Sequence, residues 1–462
     1  MSKKLLSKQV RSKQSPNNKA RRANHQPVKA LPIISDVIEV VRYSNECRGI
    51  ATHAGKTVFV RNALRGEQVQ VSIETTHKNY DEAVATEIIK ASDDRVTPAC
   101  SYYGQCGGCD LQHLNPSKAP SIKQELVLDM LKRSANAIPS YIEDPILSKP
   151  IAYRRSARIG INQRQRDGAL LTGFRRRQSA KLLNVDHCPV LDSRLDTLFS
   201  ELHKGLADLD GIRNITEVLV SLGDHAGSLR FRLVKPASAE MKQRLIDIAQ
   251  TLKLSAWIEE SKHGSFALTP NSNLSFAADD ETQLSFEPGD FLQVNAEINR
   301  AMIARAKEWL VADSDAILLD LFCGLGNFSL PLARHFKQVI GIEGSGEMVK
   351  RATHNAELNQ ISNASFFCAD LSQPIKETAW YRQSKPDLVL LDPPRTGAAE
   401  LLPQLLPLKP KKFLYIACNP AALARDTQTL VEAGYHLTRF CVLDMFPNTS
   451  HIESMALFEA KK

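Results

Sequence analysis

The stretch ILLDLFCGLGNFSLPLA, residues 317–333, predicts a strand that enters a helix through a glycine-rich turn. Ile317 to Leu321 are mostly apolar and of strand length, and the turn Cys323-Gly324-Leu325-Gly326-Asn327 follows after Phe322. Glycine is required where the backbone turns sharply and where a ligand approaches the main chain without a Cβ atom in the way. The stretch therefore predicts a ligand site at the carboxyl end of a strand.

The same strand–turn–helix pattern repeats from about residue 291 onward. Short apolar strands are predicted within QVIGIE (338–343), SFFCADL (365–371), PDLVLLD (386–392), KFLYIA (412–417) and HLTRFCVLDMFP (436–447). Helical stretches alternate with them, which indicates a doubly wound, largely parallel α/β sheet over residues 289–462. Because 462 residues exceed what one hydrophobic core supports, two or three domains are expected.

Acidic residues at the ends of the next two strands narrow the choice of ligand. Glu343 stands about 20 residues after the glycine turn, where a carboxylate accepts both hydroxyls of a ribose, and Asp370 suits an adenine edge. NAD-binding turns carry G-x-G-x-x-G, with the pyrophosphate on the helix N-terminus. This chain has D-x-F-C-G-x-G-x-F instead, which fits S-adenosylmethionine, a cationic ligand without phosphate.

Two further strand ends carry side chains that could take part in a reaction. Cys418 follows the apolar strand FLYIA and precedes Asn419-Pro420, and Asp392 opens the segment DPPRTG. Strand ends at the carboxyl edge are where open α/β sheets carry their chemistry. Taken alone, Cys418 is better explained as a buried structural cysteine. The segment TSHIESMALFEA adds a carboxylate, Glu453, before the last apolar strand.

Four motifs together resemble those of the RNA uracil-C5 methyltransferase family: LDLFCGLGNFSL, LDPPRTG, YIACNPAALARD and HIESMALF. The chain looks most like the bacterial members that act on 23S ribosomal RNA and carry an iron–sulfur cluster. The resemblance implies that Cys418 adds to C6 of uracil and that Glu453 removes the C5 proton. It also implies a cofactor pocket, formed by Gln293, Phe322, Asn327, Glu343, Asp370 and Asp392. Whether Asp392 contacts the cofactor or the uracil stays open.

Other functions compatible with these motifs remain as alternatives. One is the same reaction on transfer RNA. Another is cytosine-C5 methylation, but those enzymes typically place the nucleophile in a P-C motif, which is absent near Cys418. A third is an RNA-binding ribosome-assembly factor with a non-catalytic methylase domain, against which the presence of both Cys418 and Glu453 argues.

Three cysteines lie within the ten residues CSYYGQCGGC, and a fourth stands in DHCPVL. Cys100, Cys106, Cys109 and Cys188 form a four-thiolate set, which binds either zinc or an iron–sulfur cluster. Zinc sites typically use two C-x2-C pairs, and only one is present. The spacing therefore favours iron–sulfur over zinc, and the family resemblance implies a [4Fe–4S] cluster with a structural role.

The remaining segments point to RNA contacts. Residues 31–92 read as short alternating strands broken by glycines and resemble the OB-like TRAM β-barrel of RNA-modifying enzymes. Residues 93–288 are expected to form a central α+β domain that carries the cluster and a basic run at 150–190; residues 195–286 have no chemical signature. Residues 1–30 read as a disordered basic tail, with nine Lys/Arg before residue 30.

The charge and hydropathy of the chain limit which binding partners are expected. The formal charge of +8 and the pI near 8.9 favour a polyanionic partner such as ribosomal RNA. No run of about 18 apolar residues is present, so no membrane span is expected. Scattered cysteines are typical of a reducing compartment, which predicts a cytoplasmic location. Nothing in the sequence calls for an obligate protein partner.

Overall fold

The computed structural model describes residues 33–261, 264–270, 273–310 and 314–461. The predicted basic tail, residues 1–30, lies outside the described residues. Three main sheets organise the described chain, and each is formed largely by one of the three segments that the sequence analysis separates. The exact domain boundaries stay predictions.

The first sheet closes on itself. Its strands are Ile33–Glu39 (β1), Arg42–Tyr43 (β2), Gly49–His53 (β3), Lys56–Arg61 (β4), Gln68–Thr76 (β5) and Tyr80–Lys90 (β6). The order is β1-β5-β6-β4-β3-β2, and only β4 and β6 pair in parallel. β1 and β2 are the two edge strands of this order, and only Val40 and Val41 separate them in the sequence. One continuous chain segment therefore joins the two edges and closes the sheet. Alternate apolar residues such as Val58 and Val69 fill the interior.

A helix and a short strand connect this sheet to the rest of the chain. Helix α1 (Ala119–Ala135) packs against the C-terminal part of the protein, and strand β7 (Tyr141–Ile142) joins the edge of the C-terminal sheet. Lys123 of α1 is buried there and lies 3.3 Å from the Asp444 carboxylate. A buried ion pair of this kind fixes the position of α1 on the C-terminal sheet, because neither charge tolerates the loss of its partner.

The central sheet is mostly antiparallel and carries helices on one face. Its strands are Ser156–Gln163 (β8), Leu170–Arg175 (β9), Leu182–Asn184 (β10), Ile215–Leu222 (β11), Gly227–Leu233 (β12), Ser255–Glu260 (β13) and Gly264–Ala267 (β14). Helices Leu198–Leu206 (α2) and Ala239–Thr251 (α3) bury Leu202 and Leu245 against the sheet. Residues 195–286, which carry no motif, supply four of the seven strands, so their apolar pattern serves this core.

The C-terminal sheet is built by alternating strands and helices, as the sequence predicts. A hairpin, Ser275–Ala277 (β15) and Gln283–Ser285 (β16), precedes it. Its strands are Ile317–Leu321 (β17), Gln338–Glu343 (β18), Ala364–Cys368 (β19), Leu388–Leu391 (β20), Lys412–Ala417 (β21), Tyr435–Leu443 (β22) and Glu453–Ala460 (β23). The helices are Ala296–Leu310 (α4), Ser329–Ala333 (α5), Gly346–Leu358 (α6), Ala379–Gln383 (α7), Leu402–Leu405 (α8) and Pro420–Glu432 (α9).

The strand order of this sheet decides where a ligand can bind. The order is β19-β18-β17-β20-β21-β23-β22-β7, parallel from β19 to β21, with β23 antiparallel to both neighbours. The chain moves outward from β17 in one direction to β18 and in the other to β20. A crevice opens at such a switch point, beside the carboxyl ends of the two strands. The predicted doubly wound, Rossmann-like fold is confirmed for this part of the chain.

Both faces of the C-terminal sheet are buried. Leu318, Leu390 and Leu414 belong to a core on one face, whereas Leu319 and Val389 belong to a core on the other. This two-sided burial explains why the strands read as continuous apolar runs rather than alternating patterns. Within the described ranges, no helix is long and apolar enough to cross a membrane.

Candidate active site

The glycine turn after β17 is held in a strained conformation. Phe322 has φ +66°, a region that few residues other than glycine adopt, and Gly326 has φ +92°. A Cβ atom on Gly326 would lie 2.9 Å from Leu330 Cδ1, so the position has no room for a side chain. The backbone amides of Phe322 and Cys323 both donate to the carbonyl of Ile342, at 2.9 and 3.1 Å. These bonds fix the turn and direct Phe322 toward the crevice.

Asp320, in the middle of β17, ties the turn to helix α5. The side chain is fully buried, and the hydroxyl of Ser329 donates to its Oδ2. Burial raises the pKa of Asp320 to about 7. The sequence analysis did not select this residue, although it is the first letter of the D-x-F-C-G motif.

Glu343 ends β18 and faces the same crevice. Its Oε2 accepts from the backbone amide of Gly324 at 3.1 Å, and its Oε1 accepts from the amide of Ser345 at 3.0 Å. A carboxylate has about four acceptor sites, so two remain for a ligand. The glycine turn and the acid are thereby joined into one rigid unit.

A cavity of about 860 Å³ lies over these strand ends. Seven of the residues selected from the sequence line it: Gln293, Phe322, Asn327, Glu343, Asp392, Cys418 and Glu453. Asp370 does not line this cavity. It is exposed, and its Oδ1 accepts from the backbone amide and the hydroxyl of Ser372, at 3.0 and 2.7 Å, which lowers its pKa. Its predicted contact with the cofactor stays a prediction.

Buried partners fix two of the lining residues. The side-chain amides of Asn327 and Asn299 exchange two hydrogen bonds, of 2.8 and 2.9 Å. The carbonyl of Gln293 accepts from Nε of Arg155, whose guanidinium stacks on Phe276 with 4.2 Å between its carbon and the ring centre. Asn299 and Arg155 carry no recognisable motif in the sequence, because their importance arises only from contacts between distant segments.

Cys418 lies between β21 and the first turn of α9. It is half-buried, and Asn419 caps α9 by accepting a hydrogen bond from the amide of Ala421 at 3.1 Å. Burial raises the pKa of the Cys418 thiol to about 11, and the nearby carboxylates of Glu453 and Asp392 add to this, whereas Arg395 opposes it. The thiol is therefore mostly protonated in the free protein.

Strand pairing brings Glu453 to Cys418. Ala417 of β21 pairs with Ser454 of β23, so the residues immediately beyond these two are neighbours at the same edge of the sheet. Glu453 is 6% exposed, and burial, together with the charge of Asp392, raises its pKa well above the usual range. Burial also raises the pKa of Asp392, to about 7. The site thus combines one thiol with two carboxyl groups whose pKa values are raised by burial.

A second cavity, of about 730 Å³, meets the first at Cys418. Its walls come from the first sheet (β1–β6), from the loop that follows Cys100 and from the C-terminal sheet. Arginines at 48, 61, 177 and 395 line it, together with Cys418 and His451. Arg395, Cys418 and His451 line both cavities. A ligand in each cavity therefore reaches the same thiol.

Comparisons with known proteins decide the family. A profile described as tRNA (Uracil-5-)-methyltransferase matches residues 271–461. A protein of Psychromonas ingrahamii, 23S rRNA (uracil(1939)-C(5))-methyltransferase RlmD, is 40% identical over 91% of this chain and 95% of its own length. The protein of the same name from Alkalilimnicola ehrlichii is 39% identical, over 91% of this chain and 96% of its own. This chain belongs to the RNA uracil-C5 methyltransferase family.

A solved structure of the family supports the fold. The tRNA (uracil-54, C5)-methyltransferase of Pyrococcus abyssi, in complex with S-adenosyl-L-homocysteine, superposes with a TM-score of 0.69. The match covers 92% of this chain and all of that one, at 22% sequence identity. At this identity the likeness concerns the fold alone.

The four predicted metal-binding cysteines lie around a third cavity. Cys100, Cys106, Cys109 and Cys188 all line this space of about 580 Å³. Burial raises the pKa of Cys109 to about 12, and the other three thiols add to the shift. In the part of the chain that the structure describes, no three His, Cys, Asp or Glu side chains are arranged to hold a single metal ion. The thiols thus share a cavity without forming a closed single-ion site.

Proposed function

We propose that this member of the uracil-C5 methyltransferase family methylates C5 of a uracil in 23S ribosomal RNA, with S-adenosylmethionine as methyl donor. The observation that carries the proposal is the position of Cys418 where two cavities meet, with Glu453 beside it in the first cavity. One cavity has the glycine turn and ribose-binding acid of a nucleoside site, and the other has the arginines of a nucleic-acid site.

The cofactor assignment rests on the residues of the first cavity. Glu343 has two free acceptor sites for ribose hydroxyls, and Gly324 and Gly326 let the ligand approach the main chain. A cavity of about 860 Å³ has the size of an ordinary small-molecule site. When bound there, S-adenosylmethionine supplies an electrophilic methyl group. Asp392 lies in the same wall, close enough to Glu453 to raise its pKa.

The reaction needs a nucleophile because C5 of uracil is too weakly nucleophilic to take a methyl group unaided. In the proposed mechanism the thiolate of Cys418 adds to C6, and the electrons of the C5–C6 double bond move toward C5 and the C4 oxygen. C5 then takes the methyl group from the sulfonium, whose S–CH3 bond breaks with its electron pair left on sulfur, so that S-adenosylhomocysteine is the leaving group. Arg395, which lines both cavities and lowers the pKa of the thiol, favours the ionised form.

Product release needs a base. The carboxylate of Glu453 takes the proton from C5, the electrons of that C–H bond restore the double bond, and the C6–S bond breaks to return Cys418 as thiolate. The raised pKa of Glu453 suits this role, because a carboxylate whose conjugate acid is weak binds a proton more strongly. The assignment of both residues is part of the proposal.

RNA contacts come from the second cavity. A target base in a stacked nucleic acid must be extruded, at a cost of a few kcal/mol, and charged contacts to phosphates offset this cost. Arg48 and Arg61 belong to the barrel and Arg177 to the central segment, so two parts of the chain face the RNA together. The order of the closed sheet, with its single parallel pair, fits an OB-like TRAM module.

The choice of 23S rRNA follows the relatives that match along nearly the whole chain. The names of these relatives give uracil 1939 of 23S rRNA as the target. The Pyrococcus abyssi enzyme acts on tRNA, but its 22% identity supports only the fold. We therefore take uracil 1939 of 23S rRNA as the substrate to test first, and expect the protein to act in the cytoplasm.

We also propose that the four cysteines hold a [4Fe–4S] cluster. Four thiols around one cavity supply the ligand set that such a cluster needs. A single zinc ion would instead draw its sulfurs to within about 3.8 Å of one another, as bonds of about 2.3 Å require. In a [4Fe–4S] cluster the four thiolates would each hold a different iron, so the four sulfurs would not need to approach one another so closely. Cys188→Ser is expected to lower the iron content and visible absorbance of the purified protein.

A single trapping experiment tests the main proposal. A 23S rRNA fragment with 5-fluorouridine at position 1939 is incubated with protein and S-adenosylmethionine, then run on a denaturing gel. Fluorine cannot leave C5 as a proton does, so the methylated adduct with Cys418 should persist as a shifted band. The band should be absent in Cys418→Ala. If the folded, iron-loaded wild type forms no band with this RNA or with a tRNA fragment, the covalent uracil mechanism is wrong.

A further inference from the structure

We propose that Asp110 positions the catalytic base Glu453. Asp110 follows Cys109 in the cysteine loop, residues 100–110, and it clamps residues 448–450, the segment that leads into β23. The inference rests on the proposed function, since it assigns Asp110 a part in the step that Glu453 performs. Asp110 is not a catalytic residue in this proposal, because it acts through the segment that it holds.

The clamp consists of two hydrogen bonds from one residue to one carboxylate. The backbone amide of Ser450 donates to Oδ1 of Asp110 at 2.6 Å, and the hydroxyl of Ser450 donates to Oδ2 at 2.8 Å. Hydrogen bonds to an ionised acceptor are stronger than neutral ones. The two residues are 340 positions apart in the sequence, so the contact joins the cysteine loop to the catalytic strand pair.

The backbone of the two segments is joined as well. The amides of Asp110 and Leu111 both donate to the carbonyl of Asn448, at 3.0 and 2.9 Å. Asn448 has φ +67°, so its conformation depends on such outside support. On the other side, the hydroxyl of Tyr103 donates to the carbonyl of Asp110 at 2.7 Å. These hydrogen bonds hold Asp110 in place, and Asp110 in turn holds residues 448–450.

The clamped segment forms the wall of both cavities. Thr449 and His451 line the first cavity, which we assign to the cofactor, and Ser450 and His451 line the second cavity, with its four arginines. Glu453 follows three residues after Ser450 and is the first residue of β23. A displacement of about 1 Å at a catalytic group costs up to about a hundredfold in rate. Loosening the clamp should therefore slow proton removal more than thiol addition, because β21 and α9 hold Cys418 independently.

The test separates these two steps. Adduct formation with 5-fluorouridine RNA requires Cys418 and the methyl donor but no proton removal, whereas turnover of ordinary uridine RNA requires both. Glu453→Gln is the reference and should form the fluorinated adduct but not turn over. For Asp110→Asn we expect turnover at least tenfold slower, with the rate of fluorinated adduct formation within threefold of wild type. With ordinary uridine, a covalent protein–RNA band should accumulate in Asp110→Asn and not in wild type.

Two further variants keep the result interpretable. Ser450→Ala removes one of the two bonds without altering the cysteine loop, and should show the same split to a smaller degree. Asp247→Asn, on an exposed face of α3, is the matched control and should match wild type in both steps. Iron content and thermal unfolding are measured for every variant.

Each remaining outcome identifies what has failed. If wild type neither forms the adduct nor turns over, the proposed function is wrong. If wild type is active but Asp110→Asn and Ser450→Ala slow both steps equally, or neither step, Asp110 does not position the base and the inference is overturned.

Discussion

Replacing Glu343 with glutamine is expected to weaken binding of S-adenosylhomocysteine about 30-fold. In the free protein the two oxygens of Glu343 already accept from the amides of Gly324 and Ser345. The two remaining acceptor sites are those we assign to the ribose hydroxyls. A hydrogen bond to a charged acceptor contributes about 1 kcal/mol more than a neutral one, so losing the charge costs about 2 kcal/mol for two bonds.

Isothermal titration calorimetry with S-adenosylhomocysteine measures this loss without any turnover. Glu357→Gln makes the same chemical change on an exposed face of α6 and should bind like wild type. If Glu343→Gln binds within threefold of wild type while its melting temperature is unchanged, Glu343 does not hold the ribose. The cofactor then lies elsewhere in the cavity, and the assignment of the glycine turn fails with it.

Three other outcomes are expected. Asp370→Ala should weaken the binding of S-adenosylhomocysteine less than Glu343→Gln does, because Asp370 is exposed and hydrogen-bonded to Ser372. An equal loss of affinity in calorimetry would contradict this. The single-turnover rate should rise with pH from 6 to 9, since Cys418 and Glu453, both with raised pKa values, must lose protons to act; a falling rate would refute these roles. Arg95→Met should destabilise the protein by about 3–5 kcal/mol in thermal unfolding, because Arg95 is the cation that pairs with the fully buried Glu67 in the described part of the chain; a destabilisation below about 1 kcal/mol would show that the pair contributes little.

The ligand site was predictable from the sequence where local rules suffice. The glycine turn at 323–327, Glu343 and Cys418 all stand at the carboxyl ends of apolar strands, and parallel strands bring such ends to one edge of a sheet. Seven of the selected residues accordingly line one cavity. Asp370 also follows a parallel strand, but its side chain bonds to its own loop, and no local pattern reveals such a choice.

What the sequence did not reveal depends on contacts between distant segments. Strand β7 joins the C-terminal sheet although it lies among residues assigned to the central domain, and Lys123 is buried against Asp444 although lysine is rarely buried. The bonds of Asp110 to Ser450 and of Asn299 to Asn327 are of the same kind. Such contacts have no periodicity or spacing, because the two partners belong to separately patterned elements.

The charges around Cys418 suggest how the site limits its own reactivity. In the free protein, burial and two neighbouring carboxyl groups disfavour the thiolate, so the thiol stays protonated and resists oxidation or alkylation. If S-adenosylmethionine binds in the first cavity as proposed, its sulfonium would bring a positive charge close to Cys418, Asp392 and Glu453, and a nearby cation favours the ionised form of all three. RNA bound in the second cavity, as proposed, would exclude water and so strengthen these interactions. In the proposed mechanism the nucleophile and the base would thus be activated by the same charge, and only when the methyl donor is bound.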